Sequence, residues 1–315
     1  MLRMAASQGG VVTTAQARAL GWDKRSLREA VRSGVLHDLG RSLYAVPTPD
    51  LQTKEGRHRA LCRGGLLLYP DAVLGRTSAV LAHGLPVYGV DLSRVWLQRA
   101  VTSEVNPQSF VIRPKTDATV CSTDLGSAMT PAVAIIQMTL DHGIIAGVVA
   151  ADRALHTELI TFDELHQVAG TVSGWPHSAR VTTMLSMVDG RSESVGESRL
   201  RIDLSMSGIP VIPQKVVLDQ EERFVARVDF GVGGTNVLIE FDGLVSSAMV
   251  GPTHSSPRRR ERIRCADSDM SSSGLHGPIW SVHNWCSFAS GRRWPTLWVR
   301  VVRQRDAALM ESSHR

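Results

Sequence analysis

The apolar periodicity of this chain is lost after Gly243, and this change limits where a folded core can lie. Residues 244–315 show neither the two-residue period of a strand nor the 3.6-residue period of a helix. They hold 11 basic and 5 acidic residues, whereas residues 1–243 hold 24 and 25, so the formal net charge of +5 comes from this last segment. We expect residues 246–315 to form an irregular, disordered basic tail.

A hairpin that carries acidic residues lies just before this change. The apolar runs Val225–Phe230 and Val237–Phe241 flank a Gly-rich turn, which predicts two antiparallel strands. Asp229 lies near the end of the first strand, and Glu240 and Asp242 lie two apart on the second, hence on one face. Neighbouring carboxylates resist ionisation unless a cation neutralises them, and a hard divalent metal with oxygen ligands is suited to that role. The alternative is that all three acids face solvent.

Two further motifs precede this hairpin. SESVGESRLRIDLSMSGIP, at 192–210, predicts a helix, and IPQKVVL, at 212–218, predicts a strand. Followed by RVDF and IEFDG, they resemble the Vsr-like branch of the PD-(D/E)xK nucleases, which have a restriction-endonuclease-like fold. The resemblance implies catalytic roles for Glu197, Asp229 and Glu240, with Mg²⁺ held by Asp229 and Glu240 and, on the spacing above, by Asp242. Position 242 departs from the pattern, because many of these nucleases have Lys there.

The helix and strand that follow the hairpin in this family are missing from the chain. Codons for Pro257 to Trp280, moved by two nucleotides, permit EKTREDSLRGLGYVVVRLTWADL, an amphipathic helix followed by an apolar strand. We therefore interpret the tail as a shifted reading frame that begins near Val245, with a genuine disordered tail as the alternative. On this hypothesis the nuclease core is incomplete, Val237–Phe241 becomes an exposed edge strand, and the chain as written is inactive as a nuclease.

The first 46 residues predict two short helices followed by a hairpin. One helix is capped near Thr13 and runs to Leu20, and a second covers Lys24–Ser33, each followed by a glycine. Two strand-like pieces follow, Val35–Leu39 and Ser42–Val46. Helix, turn, helix and hairpin in this order are typical of a winged helix.

This N-terminal segment resembles the winged-helix domain of AbiEi-type antitoxins, the DNA-binding partners in type IV toxin–antitoxin systems. The resemblance makes Lys24–Ser33 the recognition helix, with Leu27, Ala30 and Val31 packed inward. Residues 1–46 carry seven basic and three acidic residues, which suits a surface that faces phosphates. A merely solvated charged face, or a winged helix that binds protein, is the alternative. The expected DNA contacts are Lys24, Arg25, Arg28 and Arg32 on the helix and Arg41 at the wing tip.

The middle of the chain contains few chemical motifs. DAVLGRTSAVLAHGLPVYGV, at 71–90, resembles the segment that follows the winged helix in AbiEi-like proteins. His83 has no second ligand at metal-binding spacing, so we predict a structural role at a helix end. Strands and then helices are predicted over 95–99, 110–113, 119–122, 131–141, 144–157, 161–170 and 177–188. We interpret this part as an α/β connector that spaces the two ends and can bind a partner.

Composition excludes several classes of protein. The four cysteines form no CxxC pair, which argues against a zinc site or a disulfide framework. No apolar stretch approaches the roughly 20 residues of a membrane helix, and no secretion signal opens the chain, so we expect a cytoplasmic location and no membrane partner.

These patterns predict an α+β or α/β multidomain protein that acts on DNA. Its parts are a winged-helix domain at 1–48, an α/β connector at 49–190, a partial nuclease core at 191–245 and the tail. The main hypothesis is a DNA-binding protein with a metal-dependent endonuclease-like domain, impaired in this chain. The alternatives are an AbiEi-like antitoxin or transcriptional regulator without catalysis, and a nonfunctional product of a shifted frame. Double-stranded DNA and a cognate toxin are the expected partners.

Overall fold

The computed structural model describes residues 1–40, 42–219 and 221–242, and the backbone of 298–303. Helices and three separate sheets alternate along the described chain, so the predicted mixed α+β class is confirmed. The chain divides into two compact units, Met1–Arg199 and Leu200–Arg315. The predicted winged helix and connector therefore lie in one unit, and the predicted strands around the acidic hairpin lie in the other.

The N-terminal segment forms a three-stranded antiparallel sheet with two capped helices. Thr13 caps the first of these helices together with Gln16, and Asp23 caps the second through Ser26. The strand order is β1-β3-β2, with β3 in the middle. The elements are α1 (Leu2–Ser7), β1 (Val11–Thr13), α2 (Thr14–Ala19), α3 (Lys24–Arg32), β2 (His37–Gly40) and β3 (Leu43–Ala45). The two predicted helices and the hairpin are confirmed, while α1 and β1 are additions too short to show a period.

A small apolar core holds α2 and α3 against the hairpin. Ala17, Leu27, Ala30 and Leu36 are buried in it, and Val31, Trp22, Tyr44 and Met1 pack around them. Leu27, Ala30 and Val31 thus face inward as predicted. This packing turns the opposite side of α3 toward solvent.

The connector is a five-stranded mixed sheet followed by helices. Its order is β6-β5-β4-β8-β7, with β5 parallel to β6 and β4 parallel to β8. Helix α6 buries Ile135, Ile136 and Met138 completely, as its apolar sequence predicts. The elements are α4 (Lys54–Leu68), β4 (Val73–Leu74), α5 (Arg76–Ala82), β5 (Val95–Arg99), β6 (Phe110–Pro114), β7 (Val120–Thr123), β8 (Gly126–Met129), α6 (Pro131–His142), α7 (Ile144–His156), α8 (Phe162–Thr171) and α9 (Ser178–Met187). None of the described helices is both long and apolar enough to cross a membrane.

A buried histidine connects three elements of the connector. His58 of α4 donates from Nδ1 to the Leu92 carbonyl at 2.9 Å, so its Nε2 accepts from the Ser78 hydroxyl, also at 2.9 Å. The same Ser78 oxygen accepts the Trp96 amide at 2.8 Å. Burial lowers the pKa of His58 to about 4, because a charged ring in this site would lose its hydration. His83 ends α5 and bonds the Met129 carbonyl through Nε2 at 2.7 Å, consistent with the structural role predicted for it.

The second unit contains a four-stranded antiparallel sheet of order β12-β11-β10-β9. Leu200 and Leu204 of α10 pack on Phe230 and Ile239. The elements are α10 (Val195–Met206), β9 (Val211–Leu218), β10 (Phe224–Val232), β11 (Val237–Asp242) and β12 (Trp298–Arg303). The predicted helix, strand and hairpin are thus present, and the division between the two units falls within α10.

Strand β12 corrects two expectations about the segment after Gly243. Six of its residues pair with β11 along its whole length, from Val237 with Arg303 to Asp242 with Trp298. The prediction of an irregular segment was therefore wrong at 298–303, and β11 is not an exposed edge. The Val-rich run at 298–303 is too short to give a detectable period when the 72 residues of 244–315 are considered together. The remaining predictions about 246–315, disorder and a shifted frame, concern residues outside the described ones.

The His58 network predicts an acid-sensitive connector. The unfolded chain binds a proton at His58 below the ordinary pKa of about 6.5, whereas the folded chain does so only near 4. Protonation of His58 therefore does not reduce the free energy of unfolding above pH 6.5. Between pH 6.5 and 4 this free energy should fall by about 3 kcal/mol, because only the unfolded chain binds the proton. Amide exchange of α4, followed from pH 7 to 4, should show this loss in the wild type.

The matched variants are His58→Gln and His166→Gln, the latter on the exposed surface of α8. His58→Gln should lower protection at pH 7 but flatten its dependence on pH, because the titrating ring is gone. His166→Gln should retain the wild-type dependence. A wild-type profile that is flat between pH 6.5 and 4 would show that His58 is not buried as described.

Candidate nucleic-acid interface and candidate metal centre

Four basic side chains share one face of α3. An α-helix turns by about 100° per residue. The four side chains therefore lie within an arc of about 100° around the helix axis, in the order Lys24, Arg28, Arg32 and Arg25. All four are exposed, while Leu27 and Ala30 point into the core from the other side. No ion pair joins any of the four to another side chain in the described part of the chain. This face therefore presents unneutralised positive charge.

The beginning of this helix is fixed by Asp23. Its Oδ1 accepts hydrogen bonds from the amide and the hydroxyl of Ser26, both at 2.7 Å. The hydrogen bond from the Ser26 backbone, followed by that from its side chain, lowers the pKa of Asp23. The carboxylate thus stays charged at the positive end of the helix dipole, where an acidic cap is favourable. This cap orients the first turn, which carries Lys24 and Arg25.

The wing is the hairpin of β2 and β3. Asp38 Oδ1 accepts from the Gly40 amide at 2.7 Å, and Gly40 has φ of +82°, a left-handed conformation that glycine adopts without strain. These two features give the turn its shape. Arg41 lies outside the described residues, so its predicted contact with DNA stays a prediction.

Contacts with α4 hold the wing in place, and sequence patterns did not reveal them. Arg57 Nη1 donates to His37 Nε2 at 3.0 Å. Because a guanidinium can only donate, this His37 nitrogen must be the unprotonated one. Farther along α4, a methyl group on Gly64 would lie 2.6 Å from Leu43 Cδ1, so Leu43 of β3 packs against helix backbone. The wing and α4 therefore form one packed structure.

The predicted metal ligands Asp229 and Glu240 lie on neighbouring strands. Each is one residue beyond the Phe230–Ile239 pair, so the register places them across from each other. Asp229 is half-buried and its Oδ2 accepts the Phe241 amide at 2.6 Å, whereas Glu240 is exposed. The Asp242 side chain lies outside the described part, although its backbone belongs to β11.

The strand alternation changes phase at Asp229. Phe230 packs with Ile239, whereas Val228, only two residues away, packs in a different cluster with Leu238. Gln214, which lies between the β9 partners of Val228 and Phe230, has φ of +51°. A simple two-residue period therefore does not apply at this point, and it could not assign the direction of Asp229.

These carboxylates do not by themselves define a metal centre. Among the described residues, no group of three or more His, Cys, Asp and Glu side chains is placed to hold a metal ion. Mg²⁺ in proteins commonly takes one or two carboxylates and completes its shell with water. Asp229 and Glu240 thus stay candidate ligands, and the Mg²⁺ site stays a prediction.

Glu197 caps its own helix. Its Oε2 accepts the Glu193 amide at 3.0 Å and its Oε1 accepts the Ser194 hydroxyl at 2.8 Å. The Glu197 amide in turn donates to Ser194 Oγ at 3.1 Å, so the side chains of Ser194 and Glu197 together satisfy backbone amides at the start of α10. The spacing Ser-x-x-Glu is visible in the sequence, and it would have suggested this structural role beside the predicted catalytic one.

Comparison with known proteins finds a family match in the N-terminal part of the chain. Residues 1–47 match the model of a family described as transcriptional regulator, AbiEi antitoxin. A crystal structure of the RV2827C protein from Mycobacterium tuberculosis is 18% identical, covers 70% of this chain and 87% of its own, and has a TM-score of 0.37. No match was found among curated proteins. The family match ends before α4 begins.

The hydrogen bond from Phe241 to Asp229 can be tested apart from any metal. Asp229→Ala should remove a charge-assisted bond of about 1.5–3 kcal/mol and speed amide exchange at Phe241. Asp229→Asn retains an acceptor oxygen and should keep most of the protection. Exchange measured by mass spectrometry on the full chain checks both variants, and equal exchange in Asp229→Ala and the wild type would contradict the described bond.

Proposed function

We propose that this chain is a DNA-binding transcriptional regulator of the AbiEi-antitoxin kind, which binds duplex DNA through α3 and the wing. The observation that carries the proposal is the exposed, unpaired set of four cations on one face of α3. The match of residues 1–47 to AbiEi antitoxin regulators supports it.

The geometry of α3 suits both parts of DNA recognition. Lys and Arg neutralise phosphates and release counterions, which supplies affinity that is independent of sequence. Arg can also donate two parallel hydrogen bonds to guanine in the major groove, which supplies specificity. Lys24 and Arg25 lie in the first turn, where recognition helices contact base edges, and Arg28 and Arg32 extend the charged face along the helix.

The affinity for duplex DNA should depend steeply on salt. Each phosphate that is neutralised contributes about −0.9 to the slope of log K against log salt. Replacing Arg25 and Arg28 with Ala in the full chain should flatten this slope by about 1–2 and weaken binding at least tenfold at low salt. Fluorescence anisotropy with a labelled duplex, titrated at several salt concentrations, measures both quantities.

The control makes the same change in charge elsewhere on the surface. Arg191 and Arg223 are exposed and pair with Asp189 and Asp219, so Arg191→Ala with Arg223→Ala also removes two positive charges. This double variant should keep the wild-type slope. A wild-type chain that shows no salt-dependent binding, or a control that loses as much as the α3 variant, would refute α3 as the DNA-binding element.

A protein toxin is the second partner that we propose, by analogy with the antitoxin family. The connector is the natural place for it, because the proposed DNA surface occupies α3 and the wing. Co-expression with a toxin encoded beside this chain, followed by co-purification, tests the idea. A toxin that copurifies with residues 1–47 alone, and not through the connector, would contradict this assignment.

A metal-dependent nuclease is the second candidate function. The observation in its favour is the placement of Asp229 and Glu240 across neighbouring strands of a sheet that is packed against α10. Phosphodiester cleavage would need a divalent ion to activate water and stabilise negative charge. No step is assigned to these residues, because the described donor set does not define the ion's position.

The nuclease candidate predicts a pattern among three proteins. The chain as written should not cleave supercoiled plasmid in Mg²⁺ or Mn²⁺, because the described residues place no group of three or more His, Cys, Asp and Glu side chains to hold a metal ion. A frame-restored chain should cleave, and the same chain with Asp229→Ala should not. Gel analysis of plasmid forms gives the readout. Inactivity of all three favours the regulator alone, and cleavage by the chain as written would refute the shifted frame.

A further inference from the structure

The loop between β5 and β6, residues 100–109, lies against the turn of the wing. A methyl group placed on Gly40 would lie 3.5 Å from Gln108 Nε2 and within 3.8 Å of the other carboxamide atoms. Gln108 is exposed and has φ of +43°, an unusual conformation for a residue with a side chain. The carboxamide of Gln108 is thus presented at the surface beside the wing backbone.

Hydrogen bonds and an ion pair fix the shape of this loop. Glu104 accepts from Arg113 at 2.7 Å and from Asn106 at 2.9 Å, and Asn106 in turn accepts from Arg94 at 2.8 Å. The backbone of Val105 exchanges two hydrogen bonds with Ile112, at 2.9 and 2.8 Å. Gln108 is therefore held next to Gly40 by the connector.

The partners of Glu104 also determine the charge of this surface. A free carboxylate here would repel a phosphate. The hydrogen bond from Asn106 and the charge of Arg113 lower the pKa of Glu104, and the Arg113 guanidinium offsets its negative charge. Arg94 adds a further positive charge at the base of the loop. The loop is thus compatible with a polyanion next to the wing.

We propose that Gln108 contacts the same DNA as the wing, so that the DNA-binding surface extends from the winged helix onto the connector. This inference rests on the proposed function, because it requires that the wing face DNA. A carboxamide offers two N–H donors and one acceptor, which suit phosphate oxygens, sugar oxygens or a base edge. Gln108 would therefore add contacts with DNA that residues 1–47 alone cannot make.

The test uses the full chain and a pair of matched glutamines. Gln167, exposed on α8, serves as the control for Gln108. Gln108→Glu adds a negative charge beside the wing and should weaken duplex binding at least tenfold at low salt, with a smaller effect at high salt because of screening. Gln167→Glu makes the same change in net charge and should alter affinity less than twofold.

Two further variants separate contact from misfolding. Gln108→Lys should strengthen binding and steepen the salt slope by about 0.9, a gain that damage to the wing cannot produce. Gln167→Lys should do neither. Gln108→Ala should weaken binding a few-fold at an unchanged slope, because an uncharged donor releases no counterion.

The outcomes distinguish this inference from the proposed function. If the Arg25 and Arg28 variant loses affinity while the Gln108 and Gln167 variants behave alike, the DNA surface ends at the winged helix and the inference is wrong. If the wild-type chain does not bind duplex DNA at all, the proposed function fails first. Weakening by Gln108→Glu together with strengthening by Gln108→Lys supports the extended surface.

Discussion

The close approach of α4 to two sheets is the contact on which the first unit depends. Gly64 leaves room for Leu43 of the wing, and a methyl group on the next residue, Gly65, would lie 2.9 Å from Phe110 and 3.2 Å from Leu97. A glycine inside a helix costs about 1 kcal/mol relative to alanine. Here that cost is offset by apolar packing on both sides, because only helix backbone fits between the wing and the connector sheet.

Because of this packing, the winged helix is not structurally independent of α4. Besides its own buried residues, the winged helix is held by α4 through the Leu43 contact and the hydrogen bond from Arg57 to His37. The position of the wing is thus set partly by residues that follow the family-matched segment. A recognition surface held in this way loses less conformational entropy on binding than a wing tethered by a flexible linker.

Local signals in the sequence indicated many of the elements but not their contacts, and they predicted neither α4 nor β12. The cap near Thr13 and the glycines after the helices indicated α2 and α3, and the apolar runs within 131–157 indicated α6 and α7. The contacts of Arg57 with His37 and of Gln108 with Gly40 join residues far apart in the sequence, and no pattern in a single chain predicts them. The glycine pair of α4 even resembles a helix-breaking signal.

The acidic hairpin shows the same limit at a candidate site. Alternation could place Glu240 on a strand, but it could not predict the change of phase at Asp229, which lies across from Gln214 with its φ of +51° on a neighbouring strand. Similarly, Glu197 fits both a nuclease motif and a helix cap, and the two assignments use the same residue type for different physical reasons. The resemblance to nucleases implies the catalytic role, whereas the hydrogen bonds of Glu197 support the role as a cap.

The distribution of charge distinguishes α3 from the other basic parts of the described surface. A high net charge gives affinity for nucleic acid only where the charges share a surface and are not neutralised by their own neighbours. The α3 face meets both conditions with four residues, whereas Arg191 and Arg223 elsewhere are engaged by Asp189 and Asp219. In the β5–β6 loop, Arg113 offsets Glu104, so neutral Gln108 is the group presented beside the wing. The electrostatic field of α3 would therefore supply affinity. The neutral donor beside the wing would add orientation, since a hydrogen bond requires both a donor–acceptor distance and an angle within narrow limits.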